Sequence, residues 1–151
     1  MKSIRVEKAA RRLTVCEHGQ ILLRCRVALG RQPAGRKQAE GDVKTPEGVY
    51  FICLKRDTGK FGPALGISFP SAADARLALA EGRIDADTAA AIERAEALRV
   101  RPPWGTALGG EIYLHGGAAG DWTAGCIALE NENMAKLFAL CHEGDEVVIT
   151  A

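Results

Sequence analysis

A histidine and a cysteine stand eleven residues apart in a glycine-rich stretch. His115 ends the strand-like run Ile112-Tyr113-Leu114-His115 and is followed by Gly116-Gly117, and Cys126 lies in Trp122-Thr123-Ala124-Gly125-Cys126-Ile127-Ala128-Leu129. Nucleophilic catalysis by a thiol needs a thiolate, a base that forms it and donors for the oxyanion. A free thiol with a pKa of about 8.5 is only a few per cent ionised at a pH of about 7. A neighbouring imidazole corrects this by taking the proton. Gly125 lets the backbone approach a substrate carbonyl closely, and the amide N–H groups around Cys126 are candidate oxyanion donors. The same residues also suit a second reading, an inert core thiol beside a hydrogen-bonded strand-end histidine.

The flanking residues carry paired readings of the same kind. Asp121 and Trp122 either line a donor pocket or shape the loop, with Asp121 capping a turn and Trp122 packing it down. Thr123 either positions the nucleophile or serves as a turn residue. Trp104 suits packing more than binding, and Thr45, Pro46 and Gly48 suit a loop at the cleft more than substrate contact. Cys141-His142 invites a metal reading together with His115 and Cys126. However, no ligand pair shows zinc-type spacing, and Cys141 falls on the apolar face of a helix. Cys16, Cys25 and Cys53 fall in strand patterns that point to the core. Five cysteines with no CxxC do not form a disulfide scaffold.

The elements that must hold these residues are mostly strands. Leu13 and Val15 alternate with polar neighbours, and His18-Gly19 sits where a two-residue hairpin turn belongs. Ile21, Leu23, Cys25, Val27 and Leu29 keep period two, which predicts one long strand with Arg24 and Arg26 on its other face. Residues 30–48 are a loop rich in Gly and Pro. Val49–Leu54 is apolar on both faces and predicts a central strand, and Phe61–Pro70 a short extended stretch. Residues 72–99 turn Ala-rich and predict two helices split at Gly82, with Ala91, Ile92, Ala95 and Leu98 on one face. Ile112–His115 and Ile127–Leu129 predict short strands. Asn131 is a candidate N-cap for a helix carrying Met134, Leu137, Phe138 and Cys141, stopped at Gly144. Glu146–Thr150 closes as a strand.

The chain has 151 residues, 47% hydrophobic and 26% charged, which fits one ordinary globular domain. No apolar run approaches the length of a spanning helix. Residues 1–40 hold ten Lys/Arg and three Asp/Glu, whereas the remainder holds ten and sixteen. The basic part has no Phe, Trp or Tyr to stack on bases, so a solvated sheet face explains it better than nucleic-acid binding. Met1-Lys2-Ser3-Ile4-Arg5-Val6 has no apolar h-region, so the expectation is a cytoplasmic chain or one whose leader has been removed.

The motif resembles the L,D-transpeptidase catalytic domain (YkuD) family. That family carries a His-Gly step followed by Ser/Thr-x-Gly-Cys, here His115-Gly116 and Thr123-Ala124-Gly125-Cys126. Val27-Ala28-Leu29-Gly30, Glu40-Gly41-Asp42, Thr45-Pro46-Glu47-Gly48-Val49-Tyr50 and Leu108-Gly109-Gly110-Glu111-Ile112 extend the resemblance over residues 4–150.

The resemblance implies a single catalytic domain over residues 1–151. It would be a mainly β, β-sandwich-like fold with short helices and a helical insert near 72–99. It implies Cys126 as nucleophile, His115 as base, and a backbone carbonyl of Gly116 or Gly117 orienting the histidine. Gly125, Thr123, Ala124, Trp122, Asp121 and Gly117 would then form the oxyanion and substrate region. The implied substrates are peptidoglycan stem peptides in the cell envelope. Cys126 would attack the carbonyl of the third stem residue and release D-alanine. The thioester would be resolved by an amine of a second stem, giving a 3–3 crosslink, by an amine of a lipoprotein, or by water. No metal or organic cofactor is implied.

Many members carry Arg two residues after the cysteine, where this chain has Ala128. The Asp-Trp-Thr-x-Gly-Cys-Ile-Ala form is similar to a subgroup that includes hydrolases of peptidoglycan–protein links. A hydrolase, or a catalytically idle wall-binding module, are therefore the alternatives to a transpeptidase.

Overall fold

The computed structural model describes residues 1–59, 62–118 and 122–151. Among the described residues the architecture is a strongly curled, mainly β sheet with three short helices. In chain order its elements are β1 (Ser3–Glu7), β2 (Arg12–Glu17), β3 (Gln20–Arg26), β4 (Leu29–Gly30), β5 (Gly48–Gly59) and β6 (Gly62–Ile67). There follow α1 (Ala72–Ala80), α2 (Ala86–Ala97), β7 (Tyr113–His115), β8 (Trp122–Thr123), β9 (Ile127–Ala128), α3 (Asn131–Leu140) and β10 (Glu146–Thr150). Eight strands form one sheet in the order β3-β2-β1-β10-β5-β6-β7-β9, and β4 pairs with β8 in a second, two-stranded sheet.

The curl brings the two ends of the large sheet together. Ala28, just past edge strand β3, donates its N–H to the Ala128 carbonyl at 2.8 Å, and the Ala128 N–H returns to the Ala28 carbonyl at 3.0 Å. Ala128 belongs to the opposite edge strand, β9. The enclosed core therefore draws on both halves of the sheet: Ile4, Leu13 and Val15 at one end meet Ile52, Leu65, Leu114 and Ile127 at the other. Met134 and Leu137 of α3 pack into the same cluster.

Local chemistry explains the elements. His18 and Gly19 both take positive φ, 51° and 77°, as a type I′ turn demands. The helical insert begins with a capping box, in which the Asp74 N–H bonds to Ser71 Oγ and the Ser71 N–H to Asp74 Oδ2. Asp85 caps α2 through the Thr88 N–H at 2.8 Å. Gly82, at φ 73°, ends the first helix of the pair. The two helices share a small cluster of their own, Ala75, Ala78, Ala89 and Ile92 with Leu108.

Several expectations from the sequence need correction. The strand predicted over Ile21–Leu29 is interrupted: a register shift opposite Val15/Cys16 leaves Ile21 50% exposed, and β3 ends at Arg26. The alternation holds only from Leu23 onward. Central strand β5 runs on to Gly59. Its second face is only partly apolar, because Val49 is exposed while Phe51 is covered by the Arg99 guanidinium at 4.0 Å. In α2 the buried stripe is Ala89, Ile92 and Ala95, and Leu98 is exposed because the helix ends there. Asn131 is the first helical residue of α3, and Glu130 holds the cap position. That helix stops at Leu140, four residues before Gly144, and its last carbonyls, of Phe138 and Cys141, are met by the Lys55 ammonium at 2.6 and 2.8 Å. Cys16, Cys25 and Cys53 are half-buried; Cys141 alone of the core candidates is fully buried. The start of the Phe61–Pro70 stretch lies outside the described residues.

Loop 30–48 is held from within. The Lys8 ammonium, 5% exposed, is bonded to the carbonyls of Pro33, Gly35 and Thr45 and paired with Glu47. Thr45 is wholly buried; its hydroxyl accepts from the Gly30 N–H and donates to the Gly125 carbonyl, both at 2.9 Å. One side chain thus ties β4, the loop and the residue before Cys126. Replacing it with Val keeps the shape but leaves two buried backbone groups unpaired. Thr45→Val is expected to lower stability by about 1–3 kcal/mol, and Thr45→Ser by less. Urea unfolding midpoints at constant slope measure both.

Candidate active site

Two strands set the geometry. β7 and β9 pair in parallel, with Leu114 opposite Ile127 and His115 opposite Ala128. Carried back one residue, this register sets Cys126 beside Tyr113, and the Tyr113 N–H points at Cys126 Sγ at 3.4 Å. Alternate residues share a face, so Cys126 and His115 lie diagonally on one face of neighbouring strands. The thiol in turn points to the Glu111 carbonyl at 3.6 Å.

His115 is 6% exposed. Its Nδ1 lies 2.6 Å from the Gly116 carbonyl oxygen. A carbonyl oxygen only accepts, so Nδ1 must carry the proton and Nε2 is the basic nitrogen. Burial pushes the imidazole pKa below its usual value, and the Gly116 bond offsets this in part. Burial pushes the Cys126 thiol above its usual value, against the Tyr113 N–H and the Lys37 charge, which pull it down. Together these shifts favour a neutral thiol beside a neutral imidazole over a preformed ion pair. Lys37 is itself buried, with its ammonium on Asp42 Oδ1 at 2.9 Å.

The residues before the thiol form a tight turn. Thr123 Oγ1 donates to the Cys126 carbonyl at 2.6 Å and accepts from the Gly125 N–H at 2.9 Å. Thr123 therefore builds the turn. Gly125, expected among the oxyanion donors, has its N–H engaged by Thr123. Its role is close approach: at φ 141° a Cβ there would meet the Lys44 carbonyl oxygen at 2.9 Å. Ala124 is exposed. Trp122 is 55% exposed under the Arg11 guanidinium, 4.6 Å from its ring, so it does not pack the loop down. Asp121 lies outside the described residues. Gly117, at φ 80°, gives its N–H to Asn131 Oδ1 at 2.8 Å.

Sequence reasoning missed two groups at the thiol, the Tyr113 N–H and the Glu111 carbonyl. Both are backbone atoms, which residue type does not announce. Trp104, expected to pack rather than bind, packs behind Tyr113. The two rings meet edge-on at 5.6 Å, and the indole N–H is fixed on the Phe69 carbonyl at 3.1 Å. A cavity of about 520 Å³ lies away from the thiol, lined by Arg36, Tyr50, Asp74, Arg76, Glu96 and Arg99 among others. No group of three or more His, Cys, Asp or Glu is placed to hold a metal among the described residues. Cys141 sits in the core, and His142 Nδ1 lies 3.1 Å from Lys55 Nζ.

The family model of the L,D-transpeptidase catalytic domain (YkuD) matches residues 1–149, and the chain belongs to that family. Among solved structures it is similar to the helical cell shape determining protein Pgp2 from Campylobacter jejuni (K307A mutant). That likeness has 25% identity and a TM-score of 0.68, covering 98% of this chain and 46% of that one. It is also similar to the L,D-transpeptidase from Stackebrandtia nassauensis, at 16% identity and TM-score 0.59, covering 99% and 55%. A third, LdtMt1 in complex with imipenem, has 15% identity and TM-score 0.57, covering 99% and 58%. The chain thus spans about half the length of these structures. No curated protein matches.

These two shifts, of Cys126 and His115, have a measurable consequence. Thiolate forms as pH rises through the thiol pKa, which burial has raised. Iodoacetamide labelling of Cys126, followed peptide by peptide, should be slow at neutral pH and climb through the range above the ordinary thiol pKa of about 8.5. A rate already flat from a pH of about 5 upward would show an ion pair instead.

Proposed function

We propose that the chain is a cysteine-dependent acyl-transfer enzyme acting on peptidoglycan stem peptides. The observation that carries this reading is the pairing of β7 with β9, which sets a thiol diagonally from an imidazole whose Nδ1 is locked on a backbone carbonyl. Family membership and the likeness to L,D-transpeptidases support the substrate class. The likeness to a cell shape determining protein fits a role in wall remodelling and shape. The envelope is the compartment where such a substrate lies. No helix among the described residues is long and apolar enough to cross a membrane.

In this mechanism Cys126 Sγ attacks the carbonyl of the third stem residue while its proton passes to His115 Nε2. The lowered imidazole pKa suits this step, since it keeps the base unprotonated at neutral pH. The Tyr113 N–H, already aimed at Sγ, is a donor for the charge that develops there. The imidazolium returns the proton to the departing D-alanine amine, which leaves a thioester on Cys126. An amine of a second stem then gives a 3–3 crosslink, and a lipoprotein amine would give an anchored protein.

One observation favours water as the final acceptor. Ala128 is 2% exposed and its backbone is bonded on both sides, so this position carries no cation to hold a carboxylate beside the thiol. Replacing an amine acceptor with water needs no new catalytic group, and the same His115 activates either.

Mass spectrometry of muropeptides incubated with the protein or with Cys126→Ala tests both readings. New 3–3 dimers absent with the variant establish a transpeptidase. Loss of a terminal residue or a tethered peptide without dimers establishes a hydrolase. Identical spectra from the two proteins would sink the acyl-transfer reading on this substrate. Activity should fall as pH drops through the lowered His115 pKa, since imidazolium cannot accept the thiol proton.

A further inference from the structure

We infer that Asn131 is a positioning residue that holds His115 in its reactive tautomer through a single peptide group. The inference rests on the proposed acyl-transfer reading for its catalytic meaning and on geometry for its physical content. The Gly116 carbonyl and the Gly117 N–H belong to the same planar unit and point in opposite directions. Both ends of that unit are held. The carbonyl receives the His115 Nδ1–H at 2.6 Å, and the N–H donates to Asn131 Oδ1 at 2.8 Å. The chain of bonds therefore runs from the Asn131 side chain through the peptide to the imidazole. Each bond polarises the next.

This peptide is unusually free to turn over. It lies between two glycines, and a flip would take Gly117 from φ 80° to about −100°, both open to glycine. A flipped peptide presents an N–H to Nδ1 in place of a carbonyl. Nδ1 would then have to accept, the proton would move to Nε2, and the nitrogen facing the thiol chemistry would lose its basicity. Asn131 favours the productive state because its amide is turned with Oδ1 toward the Gly117 N–H; a flipped peptide would present a carbonyl to that oxygen, and pairing would be recovered only if the amide also turned over to offer Nδ2. The contact is close by construction: a Cβ on Gly116 would lie 2.5 Å from Asn131 Oδ1. Asn131 itself starts α3, whose Met134 and Leu137 are anchored in the core, so the acceptor stands on a rigid element. The bond faces solvent, where water can satisfy a released Gly117 N–H. Removing the side chain should therefore cost little stability and act on orientation.

The test reads the tautomer and the reaction separately. In protein with ¹⁵N-labelled histidine, His115 of the natural chain should show one neutral tautomer, protonated at Nδ1. Asn131→Ala should give a mixture with Nε2–H, at an unchanged unfolding midpoint. The maximal rate of Cys126 acylation by imipenem, followed by mass, should fall about three- to tenfold with the half-saturating concentration unchanged, the scale of one lost hydrogen bond. Asn131→Asp keeps an acceptor and should restore both readouts. Gly117→Ala penalises positive φ and favours the flipped peptide. It should reproduce the Asn131→Ala tautomer mixture, and the double variant should lose nothing more. A single Nδ1–H tautomer in Asn131→Ala overturns the inference. Failure of the natural protein to acylate would count against the acyl-transfer reading, while the tautomer spectrum would still decide the role of Asn131.

Discussion

Ala128 is the point at which the whole structure closes. Its backbone pairs on one side with the β7 strand that carries His115, and on the other with Ala28 at the far end of the curled sheet. A sheet of eight strands meets itself at this residue, and Cys126 stands two residues before it. The catalytic thiol candidate is thus fixed by the same hydrogen bonds that complete the fold. A small side chain belongs there, since two strands approach it and little room is left beside the core.

Thr45 extends that constraint into the loop. Loops built of Gly and Pro carry backbone groups that need partners when they are buried. This one finds several of them in side chains, among them the Lys8 ammonium, the Thr45 hydroxyl and the Asp42 carboxylate, which accepts from the Gln38, Ala39 and Lys44 N–H groups. Through Thr45 the loop reaches the Gly125 carbonyl, and through Thr123 the turn before Cys126 satisfies its own N–H and C=O. Cys126 therefore sits on a backbone with few remaining degrees of freedom. Such preorganisation favours a reaction whose geometry must be met within fractions of an ångström.

The electrostatics of the site follow from burial. Taking a thiol and an imidazole out of water disfavours both charged forms, which raises one pKa and lowers the other. In the proposed mechanism the thiol keeps its proton until the attack itself. The buried Lys37 charge partly offsets the penalty on the thiolate, although Asp42 shares that charge. The helical insert contributes to none of this directly. Its small alanine-rich cluster packs the two helices together with Leu108.

Much of this protein was legible in its residues. Period-two alternation marked β2, an apolar run marked β5, the His18-Gly19 pair marked a hairpin, and the Ala-rich composition of residues 72–99 marked two helices split at Gly82. The His-Gly and Thr-x-Gly-Cys spacing marked the candidate thiol and base, because residue type and short-range order carry that chemistry. What only the tertiary structure decided depends on contacts between segments distant in sequence. The bulge that exposes Ile21, the meeting of Ala28 with Ala128, the Thr45 bridge over eighty residues to Gly125 and the Tyr113 N–H at the thiol are of this kind. Asn131 shows the difference in one residue. Its local sequence suggests a helix cap, since a short amide side chain serves its own backbone well. The fold instead places the start of α3 against the turn after His115, and the side chain bonds to the nearer unpaired donor, Gly117. Local propensity sets what a residue can do, and the packing of distant strands and helices sets which partner it meets.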